Sequence, residues 1–220
     1  MSLSWRELLR ERLLIALEPQ AVHAVRAKSG EKRSGAWPEG LAAELAGWPS
    51  AEVSVVASNR LVRYVVVPRT GGVSGDAEEL ALARHHFIRV HGERSRDWDV
   101  RYSRETGLAS AVDAGLIQDL KAQLSPGKHK LVSLQPYLMA AFNRLRARVP
   151  KEGAWIVLPE AEATCVALYA NGSWAGVAVN RAGSEESLER ERMRMGSARA
   201  PRTVLTPPAN DGYAMALSAK

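Results

Sequence analysis

The sequence predicts an α/β protein, on three observations. Short β-branched runs alternate with stretches of helical spacing. Of the 220 residues 46% are apolar, enough to bury the core of one large domain or two small ones. One order of elements, three strands, a helix, a strand and a helix, occurs near the start and returns in shortened form near the end.

The elements follow in chain order. Residues 13–17 are an apolar run, and after the turn Glu18-Pro19-Gln20 come residues 21–27, where Val22 and Val25 favour a strand, so the chain opens on a β-hairpin. Residues 28–37, with their Gly, Lys and Ser, read as an exposed loop, and residues 41–46 as a helix before Pro49. Two β-branched runs, 52–57 and 61–68, flank Ser58-Asn59-Arg60 and predict a second hairpin. After the glycine-rich loop 70–75, Asp76 is a good N-cap, Leu80, Ala83, Phe87 and Val90 carry helical spacing, and Gly92 stops the helix. Residues 97–103 and 107–112 form a third strand pair; 114–124 is a helix ended by Pro126-Gly127; 130–135 is a strand; and 136–148 is a helix with proline in its first turn. Strands then recur over 154–158, 163–169 and 173–180, the last two joined at Asn171-Gly172. A helix over 185–195, a strand over 203–206 and a helix over 211–218 complete the chain. Such a repeat is how a duplicated ribonuclease-H-like fold reads.

Composition narrows the function. No run of about 18 apolar residues exists, and Arg6, Glu7, Arg10, Glu11 and Arg12 stand where a signal peptide needs an apolar stretch. The expectation is a cytoplasmic protein without a membrane segment. Cys165 has no second cysteine to pair with and lies in an apolar, strand-like segment, which makes it a packing residue rather than a nucleophile. The net charge of +6 admits an anionic partner such as nucleic acid, but Lys and Arg are scattered and interleaved with Glu, which favours a solvated basic surface.

Few residues form a chemical constellation. His85, His86 and His91 share a helix, yet at 100° per residue His91 lies about 140° from His86 and about 120° from His85, so no common metal is expected. Asp97 and Asp99 flank Trp98 on one strand face, but metal-assisted nuclease chemistry also needs a carboxylate on the first strand, and residues 13–17 have none. Glu160 and Glu162 have no nucleophile or histidine tied to them by spacing and read as a polar hairpin. Five arginines between Arg190 and Arg202 offer a basic helix end, balanced by Glu185, Glu186 and Glu189 at its start. The cluster Gly71-Gly72-Val73-Ser74-Gly75 lacks the Gly-Lys-Ser/Thr ending of a phosphate loop and reads as a flexible connection. Of six tryptophans, Trp5, Trp37, Trp48, Trp98, Trp155 and Trp174, most are core candidates, while Trp37 and Trp48 are candidates for exposed contacts.

The phrases Val53-Ser-Val-Val-Ala-Ser-Asn-Arg-Leu-Val-Arg-Tyr64 running on to Pro68, residues 98–102, and Leu134-Gln-Pro-Tyr-Leu-Met-Ala-Ala-Phe-Asn143 resemble bacterial relatives of the pilus assembly protein PilM and the cytoplasmic part of the secretion protein GspL, over most of residues 13–180. The resemblance implies an actin-like fold of two ribonuclease-H-like lobes of mixed sheets flanked by helices. The expected lobes are 1–149 and a shortened 150–220. In PilM-like proteins the fold docks a short amino-terminal peptide of an inner-membrane, PilN-like partner, which points to the first lobe here, at Arg63, Tyr64 and Arg84. PilM-like proteins carry an added subdomain, for which 220 residues leave little room.

In nucleotide-binding actin-like proteins each lobe opens with an aspartate followed by a glycine-rich hairpin turn, because backbone N–H groups approach the phosphates and the carboxylate holds the metal or its waters. Matched to that pattern, Ala16 stands for the aspartate and Glu18 for glycine in the first hairpin. In the second, Leu158 stands for the aspartate, with Pro159 and Glu160 in the turn. A glutamate there repels phosphate and a proline removes a donor. The expectation is a non-enzymatic scaffold with no cofactor and no metal. The alternatives are an actin-like ATPase with atypical phosphate loops, or a basic nucleic-acid-binding protein.

Overall fold

A computed structural model describes residues 11–67, 75–196, 201–208 and 212–217. By packing, Met1–Ser58, Gly115–Ala140 and Asp211–Lys220 form one compact unit, and Asn59–Ala114 with Ala141–Asn210 form a second. This grouping interleaves along the chain, whereas the lobes read from element order are separated by a single cut at 149/150.

The first unit is built on a five-stranded sheet of order β3-β2-β1-β4-β8, from β1 (Glu11–Leu17), β2 (Ala21–Arg26), β3 (Lys32–Ala36), β4 (Ala51–Ala57) and β8 (Lys130–Pro136). β1, β2 and β3 run antiparallel to their neighbours, while β1 pairs parallel with β4 and β4 with β8. β1, the central strand between antiparallel β2 and parallel β4, is buried on both faces from Leu13 to Leu17. Short α1 (Leu41–Glu44) packs on β3, and α6 (Gly212–Leu217) packs on β1, β2 and β4. The amide of Ala42 donates to Oε1 of Gln123 (3.2 Å), tying α1 to α3 (Ala114–Leu124).

Two expectations fail here. The stretch read as a loop contains β3, whose Lys-Arg-Ser-Gly-Ala alternates exposed and half-buried positions; an edge strand needs no apolar run. The second is Trp48, which is only 6% exposed and no contact residue. Its Nε1 donates to Oε1 of Glu31 (2.9 Å), and the Arg33 guanidinium lies 4.6 Å from its ring centre. Arg26 and Arg33 also bond the Glu31 carboxylate, and Arg33 caps the carbonyls of Glu44 and Ala46 at 2.8 and 2.9 Å. The Trp48 donor, followed by the arginines, holds the Glu31 carboxyl below its ordinary range against the opposing effect of burial. Trp37 is half-buried, and Trp5 lies outside the described residues.

The second unit contains two sheets. One has the order β11-β10-β9-β12, from β9 (Ala154–Glu160), β10 (Ala163–Ala170), β11 (Ser173–Asn180) and β12 (Val204–Leu205), with α5 (Ser184–Met195) packed on it. β9, β10 and β11 are antiparallel, and β12 joins β9 in parallel. In both units, then, three antiparallel strands and a helix lead to a fourth strand parallel to the first, in the spatial order third, second, first, fourth. Asn171 and Gly172 both take positive φ, 52° and 76°, as a two-residue turn with the hand of the sheet twist requires.

The other sheet, of order β5-β7-β6, comes from β5 (Val62–Val66), β6 (Trp98–Ser103) and β7 (Leu108–Asp113), with α2 (Asp76–His91) between β5 and β6 in sequence. Its core is Val67, Ala83, Phe87, Val100, Ala109 and Ala111. This small strand–helix–strand–strand subdomain corrects the expectation that the chain has little room for one. It also corrects the second predicted hairpin: both strands exist, but β4 pairs with β1 and β8, and β5 pairs with β7. Gly75, not Asp76, is the N-cap of α2. Pro136 ends β8, and the following helix α4 covers Tyr137–Leu145 before a 3-10 turn over Arg146–Arg148.

Between α3 and β8, His129 is 8% exposed, and neither ring nitrogen meets a protein hydrogen-bond partner among the described residues. Burial lowers its pKa, so the folded chain favours the neutral ring. The unfolded chain takes up the proton at about pH 6.5. The stability held by neutral His129 is therefore complete above that value and is lost as pH falls through the folded pKa. His129→Leu is expected to lose less of its urea midpoint than the wild type between about pH 7.5 and about pH 5.5. His86 and His91, also lowered by burial first, contribute the same sign to both proteins and cancel in the difference.

Candidate functional site

The two hairpins matched to phosphate loops are the place to look for nucleotide chemistry. In the first, β1 carries Ala16 with no exposure and delivers the chain to Glu18-Pro19-Gln20. The amide of Glu18 donates to the carbonyl of Ala21 (2.9 Å), closing the turn on itself, and Pro19 has no amide hydrogen. The Leu17 carbonyl accepts the amide of Ser58 (2.8 Å). The Glu18 carboxylate stands 3.6 Å from Nε2 of His23.

In the second hairpin, Leu158 is likewise buried in β9. Pro159 sits opposite Thr164 and Glu160 opposite Ala163, so both belong to the strand, and the turn is the two residues Ala161-Glu162. This corrects their placement in the turn. β12 registers with Trp155 and Ile156 of β9 and reaches no further, leaving an edge at Pro159 where a strand tolerates the missing donor.

Glu160 is engaged in structure. One of its oxygens accepts the backbone amide of Asn59 at 3.2 Å and the Asn59 side-chain Nδ2 at 2.8 Å. The Tyr64 hydroxyl donates to Oδ1 of the same asparagine at 2.6 Å. Beside them Arg60 pairs with Glu162 at 2.6 Å. Asn59 has 0% exposure. Sequence reading passed over it because Ser58-Asn59-Arg60 looks like any polar turn between strands. Its one signal was an amide residue between two apolar runs, a place where burial forces partners on it.

The other candidates separate. Arg63 is exposed on β5, with its guanidinium on the carbonyls of Arg60 (2.9 Å) and Val62 (3.2 Å). Arg84 is exposed on α2, about two helical turns before His91. His91 stacks on Phe87 and tilts against Trp98, ring centres 6.1 and 5.1 Å away, while His85 and His86 meet each other edge-on. Asp97 ends a 3-10 segment and so does not share a strand face with Asp99, which bonds Arg101 at 3.1 Å. No group of three or more His, Cys, Asp or Glu residues is placed to hold a metal among the described residues. Arg190, Arg192 and Arg194 each pair with a glutamate of α5, at 2.8, 2.6 and 2.6 Å. Gly71, Gly72, Val73 and Ser74 lie outside the described residues. Burial, with the Glu160 charge adding, pushes the Cys165 thiol well up, which keeps it protonated.

The chain superposes on a Bacteroides thetaiotaomicron protein of actin-like ATPase fold and unknown function, with TM-score 0.60 and 9% identity over 100% of both chains. It superposes as well on the cytoplasmic domain of EpsL, an inner membrane component of the type II secretion system of Vibrio cholerae: TM-score 0.61, 14% identity, 95% of this chain and 94% of that one. A third match is the PilM–PilN type IV pilus biogenesis complex, with TM-score 0.58 and 16% identity over 94% of this chain and 68% of that one. No family model and no curated protein matches the sequence. The fold is therefore that of the actin-like ATPases. Its usual ligand, a nucleotide with its metal, does not fit the residues present. At the positions matched to its aspartates stand the buried aliphatic side chains Ala16 and Leu158, the first turn spends its Glu18 donor internally, and the second hairpin directs its Glu160 carboxylate to Asn59.

Removing the Glu160 acceptor leaves a buried amide short of bonds, so Glu160→Ala is expected to destabilise by about 2 kcal/mol. Glu160→Gln keeps an acceptor oxygen and should cost less than half of that. Urea denaturation of the two variants checks the order, which a surface carboxylate without this role would not produce.

Proposed function

We propose that the chain is a non-catalytic cytosolic scaffold of an inner-membrane assembly platform of the type IV pilus or type II secretion kind, and that it takes a short segment of a PilN-like membrane partner. The observation that supports this reading is that Ala16 and Leu158 are buried and Glu160 is bonded to Asn59, so that, matched to the phosphate loops of the fold, Ala16, Glu18, Leu158 and Pro159 offer neither an aspartate nor a glycine turn. The fold it shares with the EpsL cytoplasmic domain and the PilM–PilN complex supports the same reading. No helix among the described residues is long and apolar enough to cross a membrane, so a membrane link through those residues would come from a partner.

Calorimetry with Mg-ATP is expected to show no saturable heat at micromolar nucleotide. Micromolar binding that vanishes in Glu18→Ala would replace the scaffold with an atypical ATPase.

The docking surface in this reading includes Arg63 and Arg84, both exposed, and Tyr64, whose hydroxyl is anchored on Asn59 and whose ring is half-buried. Synthetic amino-terminal peptides of a single-span membrane protein encoded beside this chain should bind. Arg63→Glu combined with Arg84→Glu should weaken that binding about tenfold or more. Wild-type protein that binds none of them removes the adaptor role.

A further inference from the structure

β6 is the outer strand of its three-stranded sheet, and among the described residues it is registered with β7 alone. Which backbone groups it turns outward follows from its neighbours. The carbonyl of Gly107 accepts the amide of Val67 (2.9 Å), so alternate residues of β7 from 107 onward face β5, and Leu108, Ser110 and Val112 face β6. Their partners Ser103, Arg101 and Asp99 therefore face β7, in agreement with the bond from the Gly107 amide to the Ser103 carbonyl (2.8 Å). Trp98, Val100 and Tyr102 turn their backbone groups the other way. The Trp98 amide is taken by the Ser95 carbonyl, which closes one end of that edge.

Edge strands are usually blunted by a bulge, a proline, charged side chains or a covering segment. The β6–β7 register runs without a shift, the strand Trp98-Asp99-Val100-Arg101-Tyr102-Ser103 has no proline, and its two charges have opposite signs. Those charges flank Val100 symmetrically. If a second copy of the strand lies antiparallel about a two-fold axis through Val100, Val100 faces Val100 with both outward backbone groups of each exchanging hydrogen bonds. Asp99 of each copy then faces Arg101 of the other in the closely spaced, non-hydrogen-bonded positions where opposite charges stabilise a sheet. Arg101 is 80% exposed and Asp99 37%; within one chain they pair with each other at 3.1 Å, and the two-fold arrangement sets the opposite charge of the other copy beside each. Just past the strand ends the same register opposes Arg96 and Arg104, and each is already neutralised within its own chain, by Glu93 and by Glu79 with Asp76. Trp98, Val100 and Tyr102 stay on the face packed against α2, which the pairing leaves intact.

We propose that β6 is a self-complementary edge through which two copies of this chain pair antiparallel about Val100, joining their small sheets into one of six strands. The partner is a second copy because the charge pattern is complementary to itself and the backbone parity permits the register that pairs the charges. The contact is small, so the dimer is concentration-dependent and salt-sensitive. This inference is independent of the scaffold role.

Sedimentation equilibrium over a concentration series tests it on the full chain. Wild type is expected to pass from monomer to dimer. Arg101→Asp alone sets Asp99 against an aspartate, and Asp99→Arg alone sets Arg101 against an arginine; each should raise the dimer dissociation constant about tenfold or more. An equimolar mixture of the two single variants pairs arginines with aspartates and should dimerise as the wild type does, as should the double reversal Asp99→Arg with Arg101→Asp. Recovery in the mixture also shows that each variant is folded. Wild type that stays monomeric throughout, or single reversals that dimerise unchanged, would overturn the proposal.

Discussion

A side-chain amide buried away from water must find its hydrogen bonds inside the protein or cost about 1–3 kcal/mol. Asn59 meets that demand with Glu160 from β9 and Tyr64 from β5. Hydrophobic burial holds the two sheets of this unit in a general way, since it is proportional to area and has no direction. The Asn59 bonds have direction. They set β5, the strand that opens the small subdomain, against the end of β9, and a second polar tie, from the Trp174 amide to the Thr106 carbonyl at 2.9 Å, fixes the β6–β7 turn to the start of β11. Between these ties lies ordinary packing, such as the cluster of Phe142, Tyr169 and Trp174 with ring centres 4.7 to 5.1 Å apart.

The same topology serves two ends. In the first unit the order third, second, first, fourth is extended by β8, and the two neighbours of β1, β2 and β4, are long enough to flank its continuous apolar run. In the second the fourth strand shrinks to Val204–Leu205 and no fifth follows in that sheet among the described residues. What matters for chemistry is the first hairpin of each sheet. Each closes without a glycine-rich turn, since Glu18 and Pro19 stand in the first turn and Pro159 and Glu160 in the strand before the second, residues that a two-stranded turn tolerates and a bound phosphate would not.

Much of this was legible in the sequence, for a physical reason. Strands buried on one or both faces, such as β1, β4, β9 and β10, announce themselves by apolar, β-branched runs, and α2, α3 and α5 by spacing and by their glycine or proline stops. The order of elements was enough to expose the repeat. Edge strand β3 was not legible, because half-exposed positions accept Lys, Arg and Ser. Pairing was not legible either. A hairpin is a local arrangement, whereas β1 with β4 and β4 with β8 are parallel pairs whose partners lie far apart in the chain, and nothing in Ser58-Asn59-Arg60 distinguishes a hairpin turn from a crossing between sheets. Trp48 was misjudged because glycine and proline neighbours indicate a loop, and a loop tryptophan can still be roofed by arginines. For the site, the hairpin residues were visible by position, but the role of Glu160 depends on a residue 101 positions away.

That role couples two positions far apart in the chain. Glu160 accepts two hydrogen bonds from Asn59, so a glycine at 160 would take that acceptor from both donors of a buried residue, and a change at either position is felt at the other, 101 residues away.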